Sequence, residues 1–201
     1  DVEAGVPDRD ARYRLGLEVI DTLADLHRLD VDAVGLGELA RRDAYLDRQL
    51  KRWRGQWEQS KTRELAVMDE CYERLLAAKP EQRYTGIVHG DYRLGNFLSR
   101  ADGTLAAVLD WELCTLGEPL PPGALDFPPT TAGGFPTRAE ITARYAERTG
   151  FDVSMVQYYR AFSSWRLAAI NEGVKRRYME GVMVDDSFPL ESYDERVEAL
   201  A

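Results

Sequence analysis

His89-Gly90-Asp91-Tyr92-Arg93-Leu94-Gly95-Asn96 decides how this 201-residue chain is read. It follows Thr85 to His89, a short β-branched and apolar run that predicts a strand. Two more short strands are predicted beyond it, Asn96 to Ser99 and Leu105 to Leu109. Ala101-Asp102-Gly103-Thr104 joins them, and Asp-Gly is a hairpin signal. Nineteen residues after Asp91, at the end of the last strand, stands Asp110 in Leu109-Asp110-Trp111-Glu112. An Asp at a strand end is by itself often a turn former or helix cap. The order, spacing and strand–loop–hairpin context together point to chemistry instead.

The spacing His-x-Asp-x-x-x-x-Asn is that of the catalytic loop in protein kinases, and a later Asp at a strand end corresponds to their metal-binding Asp. The residue types suit phosphoryl transfer, which needs an attacking hydroxyl held in line and negative charge neutralised. Asp91 can accept the hydroxyl proton and orient the oxygen. Asp110 is a hard oxygen ligand for Mg²⁺, and Asn96 adds a neutral carbonyl oxygen without another charge.

Outward from this patch the chain is helical. Toward the N-terminus, Arg9 to Leu29 carries Tyr13, Leu17, Ile20 and Ala24 at helical spacing, with Leu23 and Leu26 beside them. Leu39 to Trp53 and Thr62 to Ala78 read as two more helices, the second stopped by Pro80. Arg48, Lys51, Arg52 and Arg54 crowd around Trp53 and Trp57. That cluster reads first as a solvated face with the tryptophans packed inward, and second as a substrate- or partner-facing patch. Residues 116–136 are rich in Gly and Pro and are expected to form a loop. Thr137 with Glu140 forms a capping box, and Gly150 stops the helix between them and it. Val153 to Met179 is a long amphipathic helix with Met155, Tyr159, Phe162, Trp165, Ala169 and Gly173 along one side, and its aromatics read as core. A last helix is expected from Leu190 to Leu200.

Composition narrows the class. Hydrophobic residues make up 44% and charged residues 30%, which excludes wholesale disorder. With 26 basic and 35 acidic residues the net charge is −9, so neither nucleic acid nor an anionic membrane is an expected partner. No apolar run approaches a membrane span, and the first residues do not form a signal peptide. Cys71 and Cys114 make neither a disulfide framework nor a zinc site. Buried, reduced thiols and a cytoplasmic location are expected.

The chain resembles the aminoglycoside phosphotransferase-like kinases, which carry His-Gly-Asp where protein kinases carry His-Arg-Asp. His89-Gly90-Asp91-Tyr92-Arg93-x-x-Asn96 and Val108-Leu109-Asp110-Trp111-Glu112 look especially like the kinase-like domain fused to some large acyl-CoA dehydrogenases. Leu23-Ala24-Asp25-Leu26-His27, Tyr145 to Gly150 and Trp165-Arg166-Leu167-Ala168 agree with it. The resemblance implies a mostly α, α+β fold: the C-terminal lobe of a protein-kinase-like fold, a helical bundle with a β-hairpin patch carrying the catalytic loop. It divides into helical residues 1–80, a catalytic and metal segment 84–120, the loop 116–136 and helical residues 137–201.

By that resemblance Asp91 is the catalytic base, and Asn96 and Asp110 bind Mg²⁺. His89 braces the loop. Arg93 pairs with a carboxylate or approaches a phosphate, and Glu112 lines the substrate side or supports it. Leu116-Gly117-Glu118-Pro119 keeps the family's Leu-Gly-Asp-Pro with Glu118 for Asp. ATP is the implied phosphoryl donor. The acceptor is a hydroxyl on an aminoglycoside-like, choline-like, sugar or acyl compound. No candidate is found for the N-terminal nucleotide-binding lobe, which has to be supplied in cis or in trans. Homodimerisation stays open. The alternatives are a non-catalytic half-kinase used for binding or regulation, and a metal-dependent hydrolase using Asp91 and Asp110. The hydrolase is disfavoured because the chain has only two His.

Overall fold

A computed structural model describes residues 5, 6, 8–119, 133–182 and 191–201. Six α-helices are described: α1 Arg9–Arg28, α2 Tyr45–Ser60, α3 Ala66–Ala77, α4 Arg138–Thr149, α5 Val156–Met179 and α6 Glu191–Leu200. Between α3 and α4 lie four short strands, β1 Gly86–Val88, β2 Phe97–Ser99, β3 Leu105–Val108 and β4 Thr115–Gly117. A 3₁₀ turn, Leu94–Asn96, precedes β2. The mostly helical fold with small antiparallel strand pairs matches the expectation.

The chain forms two compact units, Asp1–Tyr45 with Gln82–Val156, and Leu46–Glu81 with Gln157–Ala201. In the first, α1 starts at Asp8, whose side chain accepts from the Ala11 N–H at 2.8 Å. Its Ala11, Leu15 and Val19, spaced four apart, pack under Tyr92, Phe97 and Leu105 of the β region. Ile20, Leu23 and Ala24 pack instead on Tyr145 of α4. The buried arc is therefore wider than a single stripe, and Tyr13, read as part of it, is 40% exposed. Its hydroxyl donates to Glu140 at 2.9 Å. His27 lies buried against Tyr145, whose hydroxyl is 2.7 Å from Nδ1, and burial lowers its pKa to about 3.

The strands make two antiparallel pairs, not one patch. β2 and β3 form the expected hairpin, with a bulge between Leu98 and Ser99. β1 pairs with β4, with Ile87 opposite Leu116. The reading of 116–136 as loop is thus corrected at its start, because Leu116 and Gly117 belong to β4. Residues 120–132 of that expected loop lie outside the described residues. The capping box at Thr137 and Glu140 forms in both directions, and Gly150 ends α4 at φ 71°.

In the second unit Leu50, Trp57, Met68, Phe162 and Trp165 are buried. Trp165 Nε1 donates to the Met68 carbonyl at 3.1 Å, and Tyr158 donates to the Leu75 carbonyl at 3.2 Å. Glu172, fully buried, accepts from the Thr62 N–H at 2.7 Å and from its hydroxyl at 2.5 Å. That pins Thr62 outside a helix, so α3 begins at Ala66 rather than at Thr62. Cys71 and Cys114 are free and half-buried. Among the described residues no helix is long and apolar enough to cross a membrane.

Candidate active site

β1 delivers His89 at its end, and Gly90 turns the chain at φ 91°. A Cβ there would stand 2.5 Å from the Leu113 carbonyl oxygen. Positive φ and that close approach both demand glycine. The Gly of His-Gly-Asp is thus set by where the segment after Asp110 runs.

His89 is buried and makes two hydrogen bonds. Nε2 lies 2.9 Å from the Leu109 carbonyl, and Nδ1 accepts the Asp91 N–H at 3.3 Å. The neutral imidazole with its proton on Nε2 satisfies both partners. Trp111 packs on the ring at 4.6 Å between centroids. The imidazole therefore ties the Asp91 loop to the residue just before Asp110.

Asp91 is held from one side. Its Oδ2 accepts from Asn96 Nδ2 at 2.8 Å and from Arg93 Nε at 2.9 Å. Asn96 Nδ2 also donates to the Asp91 carbonyl at 2.8 Å, which uses both amide hydrogens. Among the described residues nothing donates to Asp91 Oδ1 or Asn96 Oδ1. Partial burial pushes the Asp91 carboxyl upward, but the Arg93 and Asn96 hydrogen bonds outweigh it and hold it below the usual carboxylate range. The ionised form is therefore favoured. Asn96 itself is buried in the 3₁₀ turn, and its carbonyl accepts the Leu109 N–H at 2.8 Å.

Leu109 is thus fixed at both its N–H and its carbonyl. Asp110, the next residue, sits at φ 65°. Among the described residues only Ala44 shares a positive φ without being glycine. For an L-residue this conformation costs roughly 1–2 kcal/mol, and such strain clusters at functional sites. The Asp110 side chain is exposed. Glu112 is exposed in the turn that closes with the Cys114 N–H on the Trp111 carbonyl at 2.9 Å.

His89, Asp91, Arg93 and Asn96 are therefore joined by hydrogen bonds, and Asp110 follows the residue that His89 and Asn96 grip. Glu118 is engaged elsewhere. It is buried and accepts from the Arg83 and Tyr84 N–H groups at 3.0 and 3.2 Å, and burial raises its carboxyl pKa. It anchors the chain entering β1. Reading the residue types missed Trp111 as a wall for His89, although it directly follows Asp110.

The oxygen donors fit a magnesium–nucleotide complex. Asp110 offers an exposed carboxylate and Asn96 an amide oxygen, both hard donors. Among the described residues no group of three or more His, Cys, Asp or Glu could hold a metal. Mg²⁺ is usually held by one or two carboxylates together with substrate phosphates.

A helical fold with two strand pairs and a braced carboxylate loop before a strained second Asp is the arrangement expected of the kinase-like class. The chain belongs to the phosphotransferase enzyme family, abbreviated APH, whose model matches residues 1–121. That span includes Asp91, Asn96 and Asp110. Acyl-CoA dehydrogenase family member 10 of Mus musculus is 32% identical over 79% of this chain and 17% of its own length. Acyl-CoA dehydrogenase family member 11 of Rattus norvegicus is 30% identical over 85% of this chain and 24% of its own length. The chain thus spans less than a quarter of these relatives. A solved structure of a candidate aminoglycoside phosphotransferase from Ralstonia eutropha JMP134 superposes with a TM-score of 0.82 at 30% identity. The match covers 96% of this chain and 64% of that one.

Proposed function

We propose that this chain carries the catalytic loop of an ATP-dependent kinase acting on a hydroxyl of a small molecule. The observation that carries the reading is the one-sided grip on Asp91. Asn96 and Arg93 hold Oδ2, and no described residue donates to Oδ1. A carboxylate fixed in this way accepts the acceptor's hydroxyl proton at Oδ1 and orients its oxygen for attack. Because its pKa is held low, Asp91 acts chiefly by orientation, taking the proton late.

Asn96 and Asp110 would hold Mg²⁺. Bound with ATP, the ion supplies positive charge to the phosphate oxygens. Arg93, 48% exposed beside Asp91, adds a second positive charge near the reacting groups. His89 keeps the loop and Leu109 in register, and so positions Asp91 relative to Asp110. The acceptor is a small hydroxyl compound, with aminoglycosides, choline-like alcohols, sugars and hydroxyacyl compounds as the panel to test.

The test, made with the nucleotide-binding lobe supplied in cis or in trans, is transfer of labelled γ-phosphate from Mg·ATP to that panel, comparing wild type with Asp91→Asn. Wild type is expected to label at least one acceptor, and Asp91→Asn to lose roughly 10²–10⁴-fold in rate. Equal rates in the two proteins, or no labelling by wild type with any acceptor, contradict the reading.

A further inference from the structure

The second unit contains none of the residues assigned to phosphoryl transfer, yet it holds a cavity of about 310 Å³ between α2 and α5. Trp53 and Ser60 line it from α2, and Ile170, Gly173, Arg176 and Arg177 from α5. The volume sits at the small end of ligand pockets.

Two features make it more than a surface dent. The first is Gly173. It lies inside a 24-residue helix at ordinary φ, where alanine is the more stable choice. A Cβ built there would meet Ser60 and Gln56 at 3.6–3.7 Å, which is ordinary contact. Neither backbone conformation nor steric conflict requires the glycine. Its effect is to leave the cavity open.

The second is charge. In a chain of net charge −9, cations gather here. Glu180, at the rim, is engaged by Arg176 at 2.7 Å, and Arg176 also donates to the Gln59 carbonyl. Arg177 is exposed and has no side-chain partner among the described residues. The guanidiniums of Arg52 and Arg166 stand 5.3 and 5.9 Å from the Trp53 ring centre. Pairing with the ring offsets their charge in part. Arg177 presents a planar fork suited to an oxyanion. Ile170 and the edge of Trp53 offer apolar surface beside it.

We propose that this cavity binds a small organic oxyanion, a phosphate or carboxylate carried on an apolar body, with the anion on Arg177 and the body over Gly173. The site is independent of the Asp91 loop. Calorimetric titration with phenyl phosphate tests it, with benzoate as the carboxylate arm and inorganic phosphate and phenol as the two halves. Wild type is expected to bind phenyl phosphate or benzoate saturably, at least tenfold more tightly than either half. The tighter of the two identifies the anion. Arg177→Ala and Gly173→Leu are each expected to weaken binding at least tenfold. Lys51→Ala, removing an exposed cation of α2 outside the cavity, and Asp91→Asn are expected to leave it unchanged. Should Gly173→Leu fail to fold, Gly173→Ala replaces it, with a raised Tm and weaker binding expected. No binding by wild type, binding that survives loss of Arg177 and filling at 173, or loss of binding in Asp91→Asn overturns the proposal.

Discussion

The two carboxylates of the site live in opposite circumstances. Asp91 belongs to a loop whose polar groups are paired to one another, through His89, Arg93, Asn96 and the Leu109 backbone. Asp110 stands just before an exposed turn, at a strained φ of 65°, with Leu109, Trp111 and Leu113 near it 41%, 42% and 51% exposed. The first is organised by the protein, and on the reading proposed above the second is left for a ligand to organise. That division suits a reaction in which the acceptor must meet a fixed carboxylate while the metal arrives with the nucleotide.

The largest expected effect attacks the organised side. Asp91→Asn is expected to lower phosphoryl transfer roughly 10²–10⁴-fold while leaving the thermal midpoint within a few degrees, because an amide oxygen still accepts from Asn96. Differential scanning calorimetry beside the rate assay separates the two. Gly90→Ala breaks the same loop through its backbone. Positive φ and the 2.5 Å approach to the Leu113 carbonyl predict a loss of about 1–3 kcal/mol in urea unfolding. His89→Phe keeps the ring against Trp111 but strands the Leu109 carbonyl and the Asp91 N–H, for a loss of about 1–3 kcal/mol.

The exposed turn is expected to answer in the opposite sense. Asp110→Gly relieves the left-handed strain and is expected to raise stability by about 1 kcal/mol, less glycine's added chain entropy. It is also expected to abolish Mg²⁺-dependent nucleotide binding. A destabilised Asp110→Gly protein would mean that Asp110 is held by packing rather than kept for a ligand. The smallest effect sharpens the comparison by pH. Asp91 has a depressed folded pKa, so its stabilisation is present above the unfolded value and lost as pH falls through the folded one. Removing Arg93 takes away one of the interactions that depress it. Arg93→Ala is therefore expected to move the acid limb of the pH–rate profile upward, with little change in Tm. An unmoved limb would separate Arg93 from the carboxylate it touches.

The loop and the hairpin were legible because their signals are local: a glycine, an Asp-Gly turn and residue types at fixed spacing. Helix α1 was legible for the same reason, and its end falls within a residue of the expected one. Where the reading failed, the deciding contact came from far along the chain. Sequence spacing predicts a helix from Leu39, yet α2 starts only at Tyr45, after Ala44 at φ 50°. The Tyr45 N–H is taken by the side chain of Gln82 at 3.1 Å. The sequence likewise predicts Thr62 as helical, and Glu172 holds it out of α3. Strand β4 is three residues long and exists by pairing with β1, so its own sequence carries no period to detect. In the site, the spacing marked Asp91, Asn96 and Asp110 as candidates. It did not mark the grip of Arg93 on Asp91 or the strain at Asp110, which depend on backbone geometry.

The central claim is that the loop is ordered before ligand arrives and the turn is ordered by it. Amide hydrogen exchange on the protein with its nucleotide-binding lobe supplied in cis or in trans, with and without Mg·ATP, reads both at once. The account predicts that the hydrogen-bonded amides of Asp91, Asn96 and Leu109 are protected in the absence of ligand and change little. Protection at residues 110–113 is predicted to rise with Mg·ATP in wild type and not in Asp110→Asn. An unprotected loop that orders together with the turn, or a turn whose protection rises equally in Asp110→Asn, would contradict it.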